Sequence, residues 1–213
     1  MQLLSVIAGA ALILIGVMLV VGSFAAVGEA QSWDRADAFA EESRQPAHRV
    51  GMLLAVVGLA ALVAALPMVV ARLHGTPGFA LASVGWFIFA FSTALFFMVL
   101  GLTSIALPAL GDLAARGEVS PQKVVGEFVR QPAIVAAFLG GNGLFVSWLV
   151  LGLGVVRSGV FAPWLGWALM GGAVAGWLKF LHVPGFEQYG GQLWPASIVA
   201  FGGYLLWLGL RAA

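Results

Sequence analysis

Few residues in this chain can do chemistry, and where they stand limits what that chemistry could be. The most unusual run is Gly140-Gly141-Asn142-Gly143, a polar side chain among glycines inside a long apolar stretch. Such a run can break a membrane helix and turn its carbonyls toward an ion or a substrate. Gly140, Gly141, Asn142 and Gly143 are therefore candidate ion or substrate contacts. The plainer alternative is an unbroken helix, with Asn142 hydrogen-bonding a neighbour across a groove that the glycines keep narrow. His48 and His182 lie at the ends of apolar runs and are candidate cofactor ligands, able to bind a haem or chlorophyll axially. Joint ligation would need their helices to be neighbours; interfacial histidines with no ligand are the ordinary reading. His74 falls at the opposite end of its run. Lys179 sits within a turn of a helix end, where its stem lets the ammonium reach the headgroups. Gly172 and Gly176 have the small-xxx-small spacing of helix packing.

The absences narrow the field further. With no Cys, disulfides, thiolate metal sites, covalent haem attachment and cysteine nucleophiles are excluded. No HExxH, phosphate loop or Ser/His/Asp arrangement is present. All nine acidic residues lie outside the apolar runs, so the intramembrane carboxylate expected of a proton-driven pump is missing. The chain therefore reads as a non-enzyme with no metal site and no resident cofactor. A net charge of +1 without a Lys/Arg cluster argues against nucleic acid and against a polybasic lipid-binding tail.

The surrounding elements must be membrane helices. Charged residues are 9% and hydrophobic residues 62% of the 213, against about 25% charged in soluble domains; mean hydropathy is +1.03. Several apolar runs exceed the roughly 18 residues that mark a spanning helix, and they are continuous rather than alternating as in a barrel. The expected fold is all-α: a polytopic bundle forming one transmembrane domain, with six transmembrane helices at about 3–28, 50–70, 79–107, 133–156, 160–180 and 194–210. The first reads as a retained signal anchor. Pro108 should end or kink the third, whose phenylalanines (Phe87, Phe89, Phe91, Phe96 and Phe97) should meet lipid and neighbours. Two polar segments suggest interfacial amphipathic helices: Glu29–Arg49, and the stretch opened by Ser120-Pro121 and carrying Val124, Val125, Phe128 and Val129.

Six spans put both termini on one side and every acid on the other. The terminal side carries Arg72, Arg157 and Arg211 in very short turns, a density that favours cytoplasmic termini although the loop side holds more basic residues. Gln45-Pro46-Ala47, Gln131-Pro132-Ala133 and Trp194-Pro195-Ala196 each open a span that closes on one of those arginines, and Gly85-Trp86 matches Gly166-Trp167. Three repeated helical hairpins would produce this pattern; so would convergence on good helix ends.

Arg157-Ser158-Gly159 through Pro163-Trp164-Leu165-Gly166-Trp167, with the closing Leu205-Leu206-Trp207-Leu208-Gly209, resembles a family of small bacterial membrane proteins of unknown function, the DUF4386 type. The likeness covers roughly the last third of the chain, and Trp164 stands where that family has a basic residue. It implies a six-helix bundle in a bacterial inner membrane and no catalytic residues. The expected function is that of a non-catalytic integral membrane protein, a structural or accessory subunit whose partners are the lipid bilayer and other membrane protein subunits. The alternatives are a small transporter or channel with a broken fourth helix, and a haem- or pigment-binding protein using His48 or His182.

Overall fold

A backbone amide in hydrocarbon has no water to bond, so a long apolar run satisfies its own hydrogen bonds as a helix. The computed structural model describes residues 2–26, 44–101, 107–120, 122–123, 132–181, 183–186 and 190–211. Among them the elements are α1 (Gln2–Ala26), α2 (Pro46–Ala71), α3 (Phe79–Gly101), α4 (Leu107–Ala115), α5 (Pro132–Ser158), α6 (Pro163–Phe180) and α7 (Gly190–Arg211), with no strand. Five carry segments long and apolar enough to cross a membrane: Ser5–Gly22, Pro46–Ala71, Phe79–Met98, Leu139–Ser158 and Gln192–Arg211. The expected span 160–180 corresponds to α6, which is not among the five. Its 18 residues include three Trp, four Gly and Lys179, which dilute the apolar content.

Helix ends follow local chemistry. Pro46 opens α2 four residues before the expected start, and Gln45 ahead of it is extended (φ −67°, ψ 139°), the conformation a residue before proline is pushed into. The third span, expected to reach 107, is described as α3 to Gly101, and Pro108 lies in the first turn of α4, where its missing N–H costs nothing. The α5–α6 turn is made by Gly159, at φ +66°, and by Ser158, whose hydroxyl donates to Val155 O at 2.8 Å and accepts the Val160 N–H at 3.2 Å. Ser120 caps as expected, its Oγ accepting the Lys123 amide at 3.3 Å. The rest of that expected amphipathic helix lies outside the described residues, as do residues 29–43 of the one expected at Glu29–Arg49; residues 46–49 instead form the first turn of α2.

The long helices form a closed ring in chain order: α1 packs on α2, α2 on α3, α3 on α5, α5 on α6, α6 on α7, and α7 returns to α1. Neighbours in the two tightest contacts are antiparallel. Gly78 meets Gly154 while Ser92 meets Gly140 and Gly143, and Gly9 meets Gly202 while Gly16 meets Pro195 and Val199. The α3–α5 contact is built on residues spaced by seven, Gly78, Gly85 and Ser92 against Gly140, Ser147 and Gly154, the repeat of a left-handed helix pair. A Cβ on Gly85 would stand 2.7 Å from the Leu151 amide nitrogen, and one on Gly154 2.7 Å from that of Ala82.

The axis of the ring is filled. Leu12, Leu62, Phe89, Trp148, Leu165, Ile198 and Leu205 are each at most 3% exposed. A cavity of about 10 Å³ remains, lined by Leu12, Leu66, Trp148, Leu151, Leu169, Ile198 and Phe201, roughly the volume of one water probe and without the several polar partners a water needs. The outside is apolar as well. Leu14, Leu53, Phe87, Phe91, Leu139, Trp167 and Leu210 are all more than half exposed, spread over every helix of the ring. Soluble monomers do not expose such a belt; this is the surface of a helical membrane bundle.

Candidate functional site

The Gly140–Gly143 run lies within α5, which is continuous from Pro132 to Ser158. The helix here follows the unbroken of the two readings, and the carbonyls of these residues stay in the helical ladder. The reason is visible in the packing. A Cβ on Gly140 would lie 2.9 Å from the Ser92 carbonyl oxygen, and one on Gly143 would collide with the Ser92 hydroxyl. These two glycines admit α3 against α5. Gly141 has nothing within 4 Å of a Cβ placed on it. Asn142 turns toward α6, where its Oδ1 accepts the indole N–H of Trp177 at 3.0 Å. Phe145 lies 5.9 Å from the Trp177 ring and fills the space beside Gly176, while Gly172 lets α7 approach, with Trp194 Cα at 2.7 Å from a Cβ placed there. Gly172 and Gly176 are thus packing residues, but toward two different helices.

His48 is in the first turn of α2 and half-buried. His182 lies outside the described residues, so of the two candidate ligands only His48 is described. His74 is exposed in the α2–α3 turn, its ring edge-on to Phe79 at 5.1 Å. Lys179 is in the last turn of α6. Among the described residues no three of His, Asp and Glu gather.

The polar geometry that matters most was not anticipated from the sequence. Pro67 sits inside α2 and has no N–H to give Val63, four residues back. The indole of Trp86 on α3 supplies the missing donor, reaching the Val63 carbonyl oxygen at 3.2 Å. The signal was available: an intramembrane proline implies a bare carbonyl four residues earlier, and that carbonyl needs a donor from a neighbour. Thr93 Oγ1 and Trp148 Nε1 are buried without a hydrogen-bond partner among the described residues. Trp148 is held between Phe89 and Trp194, with ring centroids 5.6 and 5.9 Å away.

Charged contacts lie at the ends of the bundle. Arg72 donates from Nη2 to Ser5 Oγ at 2.7 Å, joining α1 to the α2–α3 turn. Arg44 Nε meets Asp112 Oδ1 at 2.9 Å, tying α4 to the segment before α2. Searches of family models, of curated proteins and of solved structures each return no match to the chain, so its function is read from its own residues.

Proposed function

We propose that this chain is a multi-pass protein of a bacterial inner membrane, with α6 as a sixth crossing and both termini cytoplasmic, that works as a structural or accessory subunit within a larger membrane complex. α6 supports the sixth crossing by its place: it packs between α5 and α7 in the ring and presents Trp164 and Trp167, 52% and 62% exposed, outward. At about 1.5 Å per residue its 18 residues give ~27 Å, close to the hydrocarbon thickness.

The observation that carries the subunit reading is the outer stripe of α6. Most of the helical glycines described are pressed against a neighbouring helix, whereas Gly171 is exposed, with nothing within 4 Å of where a Cβ would stand. The stripe runs Trp164, Trp167, Gly171, Val174, two large rings above a bare patch of backbone. Small residues flanked by large ones are where membrane helices dock closely. The interior supports the same reading, because the axis is filled and Asn142 is engaged by Trp177.

Purification in mild detergent tests this. The chain should elute with a larger assembly, and Gly171→Leu should release it while leaving the chain itself monodisperse. Elution of the unaltered chain alone, with no partner in stoichiometric amount, would overturn the reading.

A further inference from the structure

The nine acidic residues fall in the segments that follow α1, α3 and α6. The opposite face of the bundle holds Arg72, Arg157 and Arg211, with no Asp or Glu among the described residues. Contacts bring these three to one end. Arg72 bonds Ser5, Gly209 packs on Ser5 and Val6, and Gly78 packs on Gly154 and Ser158. Positive charge beside an apolar belt, with no carboxylate against it among the described residues, is complementary to an anionic lipid surface.

The end of the α6–α7 pair adds a shape to that charge. Trp164 on α6 stands edge-on to Tyr204 on α7 at 6.2 Å, Tyr204 lies 5.6 Å from Trp207, and the Arg211 guanidinium carbon sits 4.2 Å over the Trp207 ring. Trp164 and Trp207 are 52% and 44% exposed. Stacking occupies a face of the guanidinium and leaves its in-plane N–H donors available to an oxyanion. Aromatic rings at this level are placed for the headgroup boundary.

We propose that the α6–α7 end of this face binds the headgroup of an anionic phospholipid, with Arg211 on the phosphate, Arg157 adding positive potential, and the acyl chains along Trp164 and Leu210. The proposal rests on the reading of α6 as a membrane crossing. The test is native mass spectrometry of the full chain from nanodiscs of equimolar phosphatidylcholine and phosphatidylglycerol. Phosphatidylglycerol should be retained over phosphatidylcholine by about five-fold or more, the scale expected of one or two arginines at the surface. Arg157→Gln with Arg211→Gln should abolish the preference, Arg211→Lys should keep part of it, and Arg116→Gln on the other face should not change it. Retention that mirrors the bilayer, survival of the preference in the double variant, or its loss on adding inorganic phosphate would each overturn the site. Labelling of single cysteines at Val160 and Pro184, which flank α6, separates the two failures. Reaction from the same side would sink the crossing, whereas opposite sides without lipid preference would sink the site alone.

Discussion

A proline inside a membrane helix leaves a bare acceptor four positions back, and here a tryptophan on another helix supplies the donor. The Trp86 indole and the Val63 carbonyl are 3.2 Å apart, and the bond exists because Pro67 cannot make it. Trp86→Phe should therefore cost about 1 kcal/mol of resistance to thermal unfolding in detergent. In a Pro67→Ala background the helix can close its own bond, and the same substitution should cost clearly less. A double-mutant cycle measures the difference; equal costs in both backgrounds would show that the indole contributes packing alone. Trp167, which stands at the matching position after Gly166, is 62% exposed. Two tryptophans that match by sequence position thus meet different surroundings, one bonding a carbonyl and one facing outward.

At the scale of the helix, the run Gly140–Gly143 separates two kinds of glycine. Gly140 has the Ser92 carbonyl oxygen 2.9 Å from where a Cβ would lie, while Gly141 has nothing within 4 Å. Gly140→Leu should force α3 and α5 apart and cost upwards of about 2 kcal/mol. Gly141→Ala should be neutral, or stabilise by up to about 1 kcal/mol through helix propensity. Thermal unfolding in detergent reads both; a costly Gly141→Ala would argue for a special backbone there. Pro46, Pro132 and Pro163 each stand at a helix start, yet the expected starts missed by up to four residues: α2 begins at 46 rather than 50, α6 at 163 rather than 160, and α7 at 190 rather than 194, with Pro195 inside it. At Gly140–Gly143 the sequence leaves two readings open, because a glycine that breaks a helix and one that admits a neighbour look alike until the neighbour is known. The matching stripe, Gly78, Gly85 and Ser92, was present in the sequence, but nothing local pairs it with α5.

For the whole molecule, apolar run length was enough to reveal the bundle, and the closed order of the ring was not, since it depends on which glycine face meets which. In three equivalent hairpins the α2–α3, α5–α6 and α7–α1 contacts would match. The first is bridged by the Trp86 indole, whereas the other two bring Gly152 to Gly166 and Gly9 to Gly202. Single cysteines, introduced into a chain that has none of its own, should show His74→Cys and Val160→Cys reacting with an impermeant reagent from one side and Arg116→Cys from the other. Ring closure also has a consequence in time. The α1 face that carries Gly9 and Gly16 is covered by α7, which is made about 190 residues later. At about 5–20 residues per second, that face waits on the order of 10–40 s in the membrane with its backbone uncovered. During synthesis the first helix is thus a docking groove without its occupant, and whatever guards nascent membrane proteins against wrong partners has that interval in which to act.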